Sequence, residues 1–191
     1  MSSDSNFSKS VLKLTGLIVA LLLVPFIAMQ FTAEVNWTLL DFVFAGALIF
    51  GTGFAYMVVT RNAEELAYRI AVGFFLFTGL VLIWINLSVG IIGSEDNMIN
   101  LLYYIVLATG VIGAIVSRFQ IQGMIVSMFS CAIAVGIITI IYFLTGMKLA
   151  PESSLIEVLA MNGFFAFLFA VSGLLFINAK GDVKAEAEAE D

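Results

Sequence analysis

Eight side chains hold most of the chemistry available to this chain: Asp41, Asn86, Glu95, Asp96, Asn97, Asn100, Glu157 and Asn162. All offer oxygen, from carboxylates or side-chain amides. Hard cations such as calcium take roughly six to eight such oxygens. The same residue types also cap helices, because Asp and Asn oxygens accept the free backbone amides of a first turn and the helix dipole favours the carboxylate. Two readings therefore stand side by side: an acidic vestibule that attracts cations or protons, and capping alone. The set fixes no metal. Asn86 stands apart, inside the apolar run LIWINLS. A side-chain amide in hydrocarbon has no water to bond, so it implies a neighbouring helix or a polar cavity.

Missing residue types narrow the chemistry further. The chain has no histidine, which removes His-ligated haem, His-based zinc sites and Ser-His or Cys-His nucleophiles. Its one cysteine, Cys131, lies in an apolar run and reads as a buried structural thiol. Neither a phosphate-binding glycine loop nor a dinucleotide fingerprint is present. No enzyme activity and no cofactor are expected. The net charge of −6 argues against a nucleic-acid surface.

These residues must be positioned by membrane helices. An apolar share of 62 % with 18 Phe in 191 residues exceeds that of a soluble domain. Cutting at charges and turn residues leaves six segments near the ~20 residues a span requires: 11–31, 39–60, 70–92, 99–117, 125–146 and 155–178. The expected fold is all-α, a polytopic six-helix transmembrane bundle over 11–178. A short segment, 1–10, precedes it. An acidic tail, 179–191, in which Ala alternates with Glu, is read as solvated and disordered. Pro25 should kink the first helix, and that helix, with no small-residue cleavage site behind it, reads as an uncleaved anchor.

Orientation follows from the positive residues, which short loops retain on the cytoplasmic side. Lys9, Lys13, Arg61, Arg69, Arg118, Lys180 and Lys184 fall on one side of the six-span plan. The opposite links hold Glu34, Asp41, Glu95, Asp96, Glu152 and Glu157, with Lys148 alone among basic residues. Both termini are thus expected in the cytoplasm, and the oxygen-rich set at the outer rim. Trp37 and Trp84 would belong to the aromatic belt there.

Small residues recur at helical spacing: Gly110, Ala114 and Ser117 in the fourth segment, and Gly163, Ala166, Ala170 and Gly173 in the sixth. Such seams let membrane helices approach closely, within one chain or between copies. Gly79, Asn86, Gly90 and Gly93 would share a face of the third helix and aim Asn86 at a neighbour. The phenylalanines are left to face lipid or fill gaps.

From Trp37 to Met124, the runs NWTLLDF, GTGFAY, YRIAVG, WINLSVGIIGSEDN and RFQIQGM resemble a family of uncharacterised small bacterial integral membrane proteins. The most specific piece is the segment from Trp84 to Asn97. The resemblance covers nearly half the chain and implies a bacterial inner (cytoplasmic) membrane, multi-pass, and a small helical bundle. It carries no activity, substrate or site residue.

The function expected from these readings is a non-catalytic helical bundle that assembles with membrane partners or with itself. The partners are the lipid bilayer and a homo-oligomer or membrane-protein complex, with no nucleic acid. One alternative is a small cation or proton channel or transporter with an acidic outer vestibule. Another is a lipid- or quinone-binding membrane protein.

Overall fold

A computed structural model describes residues 2–145 and 153–190, with side chains over 8–145 and 153–181. Lys148, Pro151 and Glu152, which enter the charge reading of the last link, lie outside the described residues, as does the side chain of Lys184. The described chain is helical throughout, in six long helices: α1 (Ser2–Phe31), α2 (Leu39–Val59), α3 (Leu66–Ser88), α4 (Leu102–Val116), α5 (Ile121–Leu144) and α6 (Leu155–Glu190). A 3-10 turn, Met98–Leu101, leads into α4. Each supplies a stretch long and apolar enough to cross a bilayer, the fourth being α4 together with that 3-10 turn, Met98–Val116. The protein is a multi-pass membrane helical bundle.

The helices fall into two compact units, Met1–Arg61 and Asn62–Asp191. The first is a hairpin of α1 and α2. Leu14 and Leu22 of α1 lie over Gly53 and Gly46 of α2, with a Cβ at Gly53 only 2.5 Å from Leu14 Cδ1. Phe26 and Phe42 add an edge-to-face ring contact at 6.3 Å. α1 runs on through Pro25.

The second unit packs α3 on α6, α6 on α5 and α5 on α4, with a lighter contact between α4 and α3. Its core is written in alternating steps of three and four. On α5 the buried row is Met124, Met128, Cys131, Val135, Ile138 and Tyr142. On α6 it is Val158, Asn162, Phe165, Phe169, Ser172, Phe176 and Ala179. A repeat near 3.5 keeps one stripe turned to its neighbours along the whole helix, the condition for knobs-into-holes packing. The large aromatics Tyr103, Tyr142, Phe165, Phe169 and Phe176 are all buried to 2 % exposure or less. Phenylalanines thus take both roles open to them, Phe165, Phe169 and Phe176 filling the core and Phe164 and Phe167 facing outward.

The small-residue seam of α4 is used inside the chain. A Cβ at Gly110 would sit 3.1 Å from both Cys131 Sγ and Phe75 Cε2. Gly113 faces Ser127, and Gly123 of α5 faces Ser117, at the C-terminal cap of α4, in return. The seam expected on α6 is divided: Gly173 meets Phe129 Cε2 at 2.9 Å, whereas nothing lies within 4 Å of Gly163.

Several helix boundaries differ from the sequence reading. α3 starts at Leu66 and ends at Ser88, before Gly90 at φ 74° and Gly93 at φ 71°. Left-handed backbone ends the helix, so Gly90 and Gly93 cannot share a helix face with Gly79 and Asn86. α4 is closed by Arg118 at φ 52° and Phe119 at φ 61°, with Phe119 N–H donating to Ala114 O at 2.9 Å. Tyr68, in the first turn of α3, donates to Phe119 O at 2.7 Å and holds that turn. α6 continues as helix through the Ala–Glu tail to Glu190, in keeping with the high helix propensity of both residue types.

The Gly113–Ser127 contact yields a direct test. Gly113→Ala puts a methyl onto the Ser127 side chain, and overpacking of this kind costs about 1–3 kcal/mol. Unfolding in mixed micelles should show that loss. The double variant Gly113→Ala/Ser127→Gly, which vacates the space, should recover most of it.

Candidate functional site

At the end of the second unit where α3 stops and α4 begins, the chain turns through Gly90 to Asn97. Its buried backbone groups need partners, because neither lipid nor core supplies any. Asn100 provides them. Its Oδ1 accepts from Ile91 N–H at 3.1 Å and Ile92 N–H at 3.0 Å. Its Nδ2 donates to Ile92 O at 3.1 Å and Ser94 O at 2.8 Å. One carboxamide thus uses both donors and both lone pairs on the same turn. Gly90 is required beneath it: a Cβ there would stand 2.6 Å from Ser94 O and 2.8 Å from Asn100 Nδ2.

The turn is tied to α5 and α6 through Ser153. Gly93 N–H donates to Ser153 Oγ at 2.6 Å, and Tyr142 O–H donates to Ser153 O at 3.2 Å. Asn97 caps the 3-10 turn by accepting from Ile99 N–H at 3.0 Å. Asn97 thus acts as a cap, one of the two roles its residue type offers, while Asn100, at the start of the expected span 99–117, organises the turn before α4.

Asn86 lies on the last full turn of α3 and is 4 % exposed. Its Nδ2 donates to the backbone oxygen of Asn100 at 3.2 Å. Because that partner is a carbonyl, the amide nitrogen must face it, and the orientation of the carboxamide is fixed by chemistry. Its Oδ1 is buried and has no hydrogen-bond partner among the described residues. A buried acceptor left so costs about 1–3 kcal/mol.

Asn86, Asn100, Asn97, Glu95 and Asp96 line one cleft of about 400 Å³. Asn86 and Asn100 are buried, while Glu95 and Asp96 are exposed. Five of the eight oxygen-bearing residues are thus gathered in one place. Trp84, 37 % exposed, stands two residues before Asn86 on α3.

The other three are engaged differently. Glu157 and Ser154 form a reciprocal cap on α6: Ser154 N–H donates to Glu157 Oε2 at 3.1 Å, and Glu157 N–H to Ser154 Oγ at 3.2 Å. Asn162 is buried in the core, where its Oδ1 accepts from Tyr103 O–H. Its Nδ2 donates to Thr139 Oγ1 at 2.9 Å, and Thr139 donates onward to Val135 O at 3.0 Å. Asp41 belongs to the α1–α2 hairpin and makes a capping box with Thr38, whose N–H donates to Asp41 Oδ2 at 2.6 Å. Trp37, in the same hairpin, packs edge-on against Phe42 at 5.2 Å. Among the described residues, no three His, Cys, Asp or Glu side chains are grouped to hold a metal ion.

The Tyr103–Asn162–Thr139 chain was not legible in the sequence. Tyr103 and Asn162 are 59 residues apart, and nothing local pairs them. The one amide in a 3-4 row on α6 that is apolar apart from Ser172 was the available signal.

Replacing Asn100 by Leu leaves Ile91 N–H, Ile92 N–H and Ile92 O without side-chain partners. At about 1–3 kcal/mol per stranded group, the folded yield from membranes is expected to collapse, while Asn97→Ala costs only about 1 kcal/mol. Tyr103→Phe should cost about 1–3 kcal/mol by stranding Asn162 Oδ1. A double-mutant cycle with Asn162→Leu, measured by reversible unfolding, should show strong coupling between them. Comparison with protein-family models, with curated proteins and with solved structures finds no match to this chain.

Proposed function

We infer that this chain is a non-catalytic scaffold of the bacterial inner membrane, with both termini in the cytoplasm, which acts by assembling with further copies or other membrane proteins. The observation that carries the reading is the state of the interior. In the second unit the space between helices is filled chiefly by aromatic, aliphatic and Met side chains, its buried polar residues Thr78, Asn86, Asn100, Ser127, Asn162 and Ser172 are uncharged, and no Asp, Glu, Lys or Arg is buried among the described residues. A path for ions needs polar groups or water along its length. An acid–base mechanism needs titratable groups inside a pocket. Among the described residues the core holds no buried carboxylate, ammonium or guanidinium for either, and its polar chain from Tyr103 through Asn162 to Thr139 ends on Val135 O.

The outer faces offer what assembly requires. Gly136 of α5 and Gly163 of α6 have nothing within 4 Å of a built Cβ, and Ile133, Ile137, Ile140, Phe164 and Phe167 around them are exposed. Glycine on a lipid-facing surface is where a second helix can come close. The orientation rests on the charge pattern of the links, and the bacterial setting on the resemblance of the segment around Trp84 to Asn97.

Reconstitution tests the reading. Liposomes carrying the protein should conduct protons and monovalent cations no faster than protein-free liposomes, and gentle extraction should return an assembly larger than one chain. A flux abolished by Glu95→Gln would replace the scaffold with a channel. A lone chain under all mild extraction conditions would remove assembly.

A further inference from the structure

We propose that the cleft beside Asn86 is a binding site for a primary ammonium group attached to an apolar body. The inference goes beyond the scaffold reading and is independent of what the bundle assembles with. Three features meet in the cleft. Asn86 is one of its lining residues, and its carboxamide is buried, fixed in orientation by its bond to Asn100 O, and has its Oδ1 unpartnered among the described residues. Such an oxygen calls for a donor. At the rim are the exposed carboxylates of Glu95 and Asp96, which call for positive charge. Along the side are Leu87, Met98 and Leu101, 42 %, 80 % and 57 % exposed, which call for apolar surface.

A primary ammonium meets all three demands. It has three N–H donors and no acceptor, which matches one amide oxygen and two carboxylates. It is the most compact organic cation, suited to reaching a buried oxygen. Tyr104 also lines the cleft, and aromatic rings attract cations. A quaternary ammonium satisfies the charge but brings no N–H for Asn86. A calcium ion wants roughly six to eight oxygens, and the two carboxylates and single free amide oxygen fall short of that. The cleft carries no Lys or Arg, so nothing in it favours an anionic ligand.

The site lies where a helix leaves the apolar part of the bundle, so the ammonium could belong to a lipid headgroup or to a dissolved amine. The full chain in phosphatidylcholine nanodiscs, whose headgroups lack N–H donors, is titrated with hexylammonium and separately with hexyltrimethylammonium, protein-free nanodiscs being subtracted. Hexylammonium should bind at least about tenfold more tightly, the equivalent of about 1.4 kcal/mol. Glu95→Gln/Asp96→Asn, at exposed positions outside the packing, should weaken it by a similar factor, as should Asn86→Leu. If Asn86→Leu does not accumulate, the double variant and the comparison of the two cations decide. Adding phosphatidylethanolamine to the nanodisc assigns the source: competition with hexylammonium points to a lipid headgroup, and its absence to a dissolved amine, both upholding the site. Equal affinity for the two cations, equal affinity of wild type and double variant, or displacement of hexylammonium by micromolar calcium overturns the proposal.

Discussion

A backbone that leaves its helix inside a membrane protein must carry its own hydrogen-bond partners, and one side chain meets that condition here. Asn100 places four hydrogen bonds on the turn between α3 and α4. The left-handed glycines flanking Ile91 and Ile92 allow the chain to fold closely around it. Everything else at this end of the bundle depends on that arrangement. The 3-10 turn starts where it does because Asn97 and Asn100 are held there. Asn86 finds the Asn100 carbonyl in reach, and the two acids are carried out to the rim on the crest of the turn.

The body of the second unit is stabilised in another way. Between membrane helices there is no hydrophobic gain in exchanging lipid for Leu, so close approach and buried hydrogen bonds decide the packing. The α4–α5 seam supplies the first through the facing pairs Gly113–Ser127 and Ser117–Gly123. The Tyr103–Asn162–Thr139 chain supplies the second. Side-chain hydroxyls elsewhere on the helices bond back to the preceding turn, as in Thr52 to Leu48 O, Thr78 to Phe74 O and Ser127 to Gly123 O. Those hydroxyls satisfy themselves and place no demand on a neighbour.

This division explains what could be read from the chain beforehand. Six spans were legible because hydrocarbon thickness sets a length and charges interrupt it. The faces of those spans were not, since the lipid side and the core side of a membrane helix are equally apolar. Phe164 and Phe165 are adjacent in sequence, one exposed and one fully buried. The inward aim of Asn86 was legible from its cost in hydrocarbon, although the glycines thought to share its face belong to the turn instead. The cluster of acids and amides was legible only in part. Asp41 and Glu157 are explained by local capping with Thr38 and Ser154, a pattern written three residues apart in each case. Asn100 was the least legible, because its partners lie on the far side of a turn whose shape only two glycines disclose.

The bonds of the α3–α4 turn also imply an order of events. Asn100 reaches groups six to nine residues away, and Asn86 reaches across 14. The bonds that fasten this turn and the core to the rest of the unit, Gly93 to Ser153 and Tyr103 to Asn162, span 60 and 59 residues. Loop-closure entropy grows with that separation, and local contacts form ahead of distant ones. The turn can therefore be complete once α3 and the start of α4 exist, before α5 and α6 are made. It is a knot tied early, onto which the later helices dock.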